Sequence, residues 1–307
     1  MIAGLILFLI LPVAVGALAY GFQRWGRVVV MLSVGVTTAL GVAIVTLPLG
    51  RTVTLWGRQI VMGGSVSFLG RDLILEDPDR IAIAFLYLTA AAVFALAGQA
   101  SSRRLIFPVG FGMLSLLSGS LLIRPLIYGV LLLEMAISLS MLALQVEGAP
   151  HGQGVLQYVS FSLLAMPGLL LVQWLMDRYA VSPDNVALRE TAVALLAFSF
   201  ALLMGSVPFH MWLPSMADDG DPFASAFVLT VSHGAIWFLL LAFLETYPDL
   251  ATHARFGYLV SGAGIAMVGV GGVMGAAQQR LGRFMGYGAL IDAGVGLVAF
   301  SLFSPQG

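Results

Sequence analysis

Three ionisable side chains stand inside long apolar runs. Glu134 lies near the middle of GVLLLEMAISLSMLALQ, His233 within FVLTVSHGAIWFLLL, and Asp292 within FMGYGALIDAGVGLVAF. Holding such a group in mid-membrane costs several kcal/mol, about 2.5–3.5 on insertion scales, so all three are candidates for a proton or ion pathway. The charge of a carboxyl at Glu134 depends on whether a cation or water approaches, which is what a proton relay requires. Ser138 lies one helical turn on, and Gln145 further along the same stripe. A neutral acid hydrogen-bonded to a neighbouring helix is the competing reading. Histidine has the side chain whose unperturbed pKa sits closest to neutrality, so His233 suits proton exchange. Thr230 and Ser225 fall on nearby turns of its face, with Trp237 one turn beyond. A helix–helix hydrogen bond explains a lone membrane histidine equally well. Asp292 faces either a water-filled route or a bonding neighbour.

A fourth feature is VPFHMWLPSMADDGDPFASA, residues 207–226, which sets prolines, a histidine and three aspartates between two apolar runs. Gly205 and Pro208 break the preceding helix, and Pro214 and Pro222 prevent a simple continuation. Asp218, Asp219 and Asp221 then lie at an aqueous boundary. Irregular backbone is tolerated at membrane depth only where protein or a wet cavity satisfies it. The stretch therefore predicts a broken helix beside a hydrated pathway entrance on the cytoplasmic side, with an ordinary proline-rich loop as the alternative.

The elements that position these residues follow from composition. The chain of 307 residues is 60% hydrophobic and 9% charged, against about a quarter charged in a soluble domain, so it is an all-α membrane protein of several spans. All fourteen basic residues are arginine, and the net charge is −1. No basic surface invites nucleic acid. The absence of cysteine removes disulfides, thiolate zinc and iron–sulfur ligation, and no helix carries a histidine pair for haem, so no cofactor is expected on this chain. About ten stretches are long enough to cross a bilayer: 2–21, 28–48, 81–100, 105–123, 126–146, 156–176, 188–207, 223–244, 256–277 and 284–304. The first lacks a basic leader and reads as a retained helix.

Residues 51–80 alternate apolar and polar types around Gly63 and Gly64, which predicts a surface hairpin with the glycine pair at its turn. Arg24, Arg27, Arg103, Arg104, Arg280 and Arg283 fall on one side of the membrane. The positive-inside tendency makes that side cytoplasmic and places the amino terminus outside. In the ninth run, Gly262/Ala266 and Gly271/Gly275 are pairs four residues apart that let helix backbones approach closely.

The motif VPFHMWLP with its acidic segment, Pro222 and ASAF resembles the antiporter-like membrane subunits shared by respiratory complex I, membrane-bound hydrogenases and Mrp-type antiporters, where the wording is close to VPFHxWLPDAxxxAPTPVSA. Gly205, Pro208, His210, Trp212 and Pro214 form the broken-helix part of that motif. QRLGRFMGYGALIDAG, residues 279–294, resembles a second family stretch, with Arg283 and Tyr287 in register. The resemblance covers roughly residues 80–300. It implies a five-helix repeat with a broken helix seven, in which Glu134 takes the place of a conducting glutamate. His233 takes the helix-eight position, with one residue fewer after Pro222. The helix-seven lysine that pairs with the glutamate is here Leu203, so that ion-pair switch is missing. Ten runs stand where family members continue to roughly fourteen, which makes the second repeat incomplete.

These readings divide the chain into residues 1–80, 81–222 and 223–307. They predict a membrane-arm subunit of a complex I-like or hydrogenase-like respiratory assembly in a bacterial or archaeal cytoplasmic membrane. It would work beside other membrane-arm subunits and take part in proton or sodium translocation, with no redox centre of its own. The alternatives are a non-conducting structural subunit of such an assembly, or a component of a stand-alone Mrp-type antiporter or ion-coupled uptake complex.

Overall fold

Helices take up nearly all of the apolar sequence, as a bilayer demands of backbone that water cannot reach. The computed structural model describes residues 2–46, 52–55, 58–61, 66–68, 70–99, 105–146 and 152–302. Helices α1 (Gly4–Gly21), α2 (Gly26–Thr46), α3 (Asp77–Ala97), α4 (Ile106–Leu122), α5 (Leu126–Leu144), α6 (Gln153–Val181) and α7 (Val186–Leu203) come first. A single 3-10 turn, Phe209–Met211, leads into the short α8 (Trp212–Asp219), and then come α9 (Pro222–Thr246), α10 (Pro248–Ala251), α11 (Ala254–Ala276) and α12 (Leu281–Leu302). Among the described residues eight helices are long and apolar enough to span a membrane, and α1 and α4 are shorter apolar helices. The chain is thus an all-α, multi-pass membrane protein. Apolar side chains such as Ile10, Met31 and Ile81 point outward and are exposed.

The polar segment after α2 folds differently from the expected single hairpin. Strand β2 (Thr52–Leu55) pairs antiparallel with β3 (Arg58–Val61), and β4 (Val66–Phe68) pairs antiparallel with β5 (Arg71–Leu73). The strands flanking Gly63 and Gly64 therefore belong to two different hairpins, and the glycine pair itself lies outside the described residues. The second turn uses Gly70, whose φ of 71° only glycine adopts readily. A two-residue β1 (Ile2–Ala3) adds in parallel to β3, and β6 (Ile123–Arg124), between α4 and α5, adds to β5.

The chain forms two compact units. The first is residues 1–143 with 226–239, and the second is 144–225 with 240–307. In the first unit α1 and α2 pack into one body with α3 and α4. In the first unit α1 lies against α4, where a Cβ on Gly16 would meet the Phe111 Cβ at 3.0 Å and Ser115 Oγ donates to the Leu9 carbonyl at 2.7 Å. Helix α2 lies against α3, where Arg80 Nε donates to the Ile44 carbonyl at 2.8 Å. Helix α3 meets the central part of α9 through Phe85/Phe238 and Phe94/Phe227, at ring separations of 5.7 and 5.8 Å.

In the second unit α11 and α12 pack most closely. A Cβ on Gly264 would stand 2.7 Å from the Gly294 carbonyl oxygen, and one on Gly294 would stand 2.8 Å from that of Gly264. Gly271 and Gly275 also face α12, at Ile291 and Tyr287, as the four-residue spacing predicts. Gly262 does not, because it looks outward with nothing within 4 Å of its Cβ position.

Candidate functional site

The helical break forms where the sequence places it. Helix α7 ends at Leu203, and Gly205 takes a φ of 63°, a conformation costly for any residue with a Cβ. A Cβ there would also stand 2.5 Å from the Leu213 Cδ1. A cis Val207–Pro208 bond and the turn at His210 complete the break, after which Trp212 opens α8 fully buried against Tyr158 of α6, at a ring separation of 4.9 Å. His210 is half-buried between the spans. Desolvation lowers the pKa of its imidazole, a shift partly offset by a hydrogen bond to the Pro208 carbonyl. Leu203 is fully buried, so the position that the resemblance gives to a lysine is here part of the apolar core.

Each of the three acids beyond the break has a defined partner. Asp218 accepts from Arg280 at 2.7 Å and from Arg283 at 3.2 Å, tying α8 to the start of α12. Asp219 accepts from the Gly154 backbone N–H at 3.0 Å, in the first turn of α6. Asp221 caps α9, accepting from the Phe223 and Ala224 N–H groups at 3.0 and 3.1 Å. Glycines make these approaches possible. A Cβ on Gly154 would meet the Ser215 carbonyl group, one on Gly282 the Ala217 carbonyl oxygen, and one on Gly286 the Pro214 Cα, each at 2.6 Å or less. The two stretches on which the family resemblance rests are therefore in direct contact through α8 and α12. Sequence reasoning found both stretches but not their contact. The signal was available in the four-residue spacing of Gly282 and Gly286 beside two arginines.

Glu134 and His233 both belong to the first unit, and both are buried, at 5% and 7% exposure. Glu134 lies on the side of α5 turned away from α4. That helix receives Leu132 and Leu139 of α5 over Gly119 and Gly112, and Glu134 is about 200° around the helix from Leu132. Neither Glu134 carboxyl oxygen hydrogen-bonds to any described residue, although both are buried. Ser138 and Gln145 do not share this burial: both are exposed, and Gln145 lies beyond the end of α5. His233 directly follows a π-helical turn, Val228–Ser232, within α9. The wider turn takes Thr230 off the histidine's face, so Thr230 is exposed while His233 and Ser232 are buried. Such turns recur at functional positions in helices. Asp292 stands apart in the second unit, exposed at the middle of α12. Among the described residues no three acids, histidines or cysteines converge as metal ligands.

The chain is 27% identical over 133 residues to the NADH-quinone oxidoreductase subunit N 2 of Hydrogenobaculum sp., a stretch that is 42% of this chain and 28% of that protein. It is 25% identical over 214 residues to subunit N of Ruthia magnifica, 64% of this chain and 43% of that one. Other relatives carry the same name, NADH-quinone oxidoreductase subunit N. The matched part spans less than half the length of these curated relatives. No protein-family model matches the chain. Its fold is that of a chain in the Mrp complex from Dietzia sp. DQ12-45-1b, with a TM-score of 0.81, 18% identity, and coverage of 99% of this chain and 34% of that one. The break at Gly205 and the buried Glu134 thus occur in a chain similar to subunit N of NADH-quinone oxidoreductases and folded like a chain of the Mrp complex.

Proposed function

We propose that this antiporter-like subunit takes part in moving protons or sodium ions across a bacterial or archaeal cytoplasmic membrane, within a larger assembly of membrane-arm subunits coupled to electron transfer. Glu134 and His233 are the proposed carriers. The observation that carries this reading is the Glu134 carboxyl. It is buried at mid-span with both oxygens unpartnered by any described residue, an arrangement that inert packing does not favour, because an unsatisfied buried polar group costs roughly 1–3 kcal/mol. A group left in that condition is matched instead to a transient partner such as a proton, a cation or water. Arg24, Arg27, Arg280 and Arg283 support an orientation with the amino terminus outside and the α8 segment at the cytoplasmic side.

The test is Glu134→Gln in the reconstituted parent complex. The amide keeps the shape of the side chain and removes its titration. Proton translocation is expected to fall roughly tenfold or more, the scale of removing one proton-transferring group, while redox turnover or uptake partly persists. Unchanged translocation would favour a second reading, a structural subunit that has kept the fold and lost conduction. Leu203 favours that second reading: it is fully buried and apolar where the family resemblance places the switching lysine.

A further inference from the structure

Arg24 and Arg27 flank Trp25 where α1 turns into α2, in the stretch YGFQRWGR. Both guanidinium groups are exposed, and neither makes an ion pair or hydrogen bond with any described residue. By contrast Arg280 and Arg283, at the start of α12, both hold Asp218. No acid stands nearby in the sequence to serve the first pair, since Asp72, beyond the far end of α2, is the first in the chain. The connection from α3 to α4, which returns to the same side, adds Arg103 and Arg104 and again no acid. The end of α3 also meets the start of α2, because a Cβ on Gly98 would run into the Val30 side chain. Arg27 occupies the first turn of α2, where the N–H groups carry partial positive charge, and that turn holds no acid. At the end of α1 the Leu18, Tyr20 and Phe22 carbonyls accept from backbone N–H groups and not from the arginines. Positive charge therefore gathers at this turn with nothing among the described residues to balance it.

The aromatic side chains among these arginines fix their depth. Tyr20, Phe22 and Trp25 are 64%, 49% and 63% exposed, and the Phe22 and Trp25 rings lie 6.1 Å apart. Exposed tryptophan and tyrosine at the end of a span sit at the headgroup layer. The arginines beside them stand at the level of lipid phosphates, which guanidinium groups bind through paired, charge-assisted hydrogen bonds. A free phosphate would match the charge but leaves the exposed rings unexplained. A zwitterionic headgroup brings its own cation and leaves the arginines unbalanced. We propose that the α1–α2 turn is a binding site for an anionic phospholipid. Arg24 and Arg27 take the headgroup phosphate, while Phe22 and Trp25 cover the glycerol and the first acyl carbons. In the orientation proposed above this lipid belongs to the cytoplasmic leaflet, whose anionic headgroups attract basic residues next to a span.

The experiment places photoreactive benzoylphenylalanine at Phe22 of the full chain, in vesicles that mix a minority of phosphatidylglycerol into phosphatidylcholine. The control is the same group at Leu142, exposed near the end of α5 in the same unit. Lipid adducts are identified by mass spectrometry. The ratio of phosphatidylglycerol to phosphatidylcholine adducts at Phe22 is expected to exceed the ratio at Leu142 roughly tenfold, the scale of two arginines acting on one anionic headgroup. Replacing both arginines, Arg24→Gln with Arg27→Gln, should bring the two ratios together. Arg24→Lys with Arg27→Lys should keep most of the excess, because the charge stays. Both double variants should melt at the parent's temperature in phosphatidylcholine alone, since neither arginine bonds a described residue. In the native membrane the Phe22 probe should capture anionic lipid. Equal ratios at Phe22 and Leu142, an excess that survives the glutamine pair, or a protein adduct in place of lipid in the native membrane would each overturn the proposal. None of these readouts involves Glu134 or the direction of the chain in the bilayer, so the lipid site and the proposed transport fail separately.

Discussion

At the scale of single residues, neighbouring acids of one type carry unlike tasks. Asp218 holds two arginines, Asp219 an amide at the start of α6, and Asp221 the amides that open α9. The sequence shows the three as an acidic cluster at an aqueous boundary. It cannot show which acid serves which partner, because the partners come from positions 154 and 280 as well as 223. The cap at Asp221 makes a clean prediction. Asp221→Ala should destabilise the purified protein by about 1 kcal/mol and Asp221→Asn by much less, since asparagine caps nearly as well. Thermal unfolding in detergent checks both, and equal losses would mean that the carboxylate's charge matters more than its hydrogen bonds. Glu134 was legible in the opposite sense. Its place in an apolar run marked it as unusual, but its two unpartnered oxygens are visible only once the surrounding helices are in place.

Among the elements, the break after α7 was readable because glycine and proline act through local backbone rules that tertiary context rarely overrides. The π turn in α9 was not. FVLTVSHGAIW has ordinary helical periodicity in hydrophobicity, and counting by 3.6 residues puts Thr230 on the face of His233. The extra residue in the turn breaks that count, leaving one exposed and the other buried. Glycine function was half readable: four-residue spacing identified Gly271 and Gly275 as contact positions but also selected Gly262, which contacts nothing. Within α12 the distinction predicts opposite outcomes two residues apart. Gly286→Ala puts a Cβ 2.5 Å from the Pro214 Cα, so α12 must shift off α8, at a cost of about 1–3 kcal/mol. Gly288→Ala meets open space and should be neutral, or stabilising by up to about 1 kcal/mol through helix propensity. Melting temperatures of the two variants in one detergent give the comparison.

For the whole molecule, hydropathy alone located the ten apolar helices and their approximate limits, eight of which are long enough to span among the described residues, because apolar length is a direct physical demand of the bilayer. It did not give the two compact units, whose composition depends on α9 lending its middle to one and its ends to the other. The proposed orientation is testable without background labelling, since the chain has no cysteine of its own. Asp184→Cys, in the exposed link between α6 and α7, should react with an impermeant maleimide on intact cells. Gln279→Cys, exposed just before α12, should react only after the membrane is opened. The reverse pattern would invert the topology. A last consequence comes from the reciprocal contact of Gly264 with Gly294. Two backbones joined that closely behave as one stiff rod, and its α12 half reaches from the Arg280 and Arg283 clamp to the outward carboxylate at Asp292. Leaning such a rod by about 5° would carry its far end, about 15 Å away, through about 1 Å. Force applied sideways at mid-membrane would therefore be delivered as motion to the short helix beyond the break, with no change in the hairpin that transmits it.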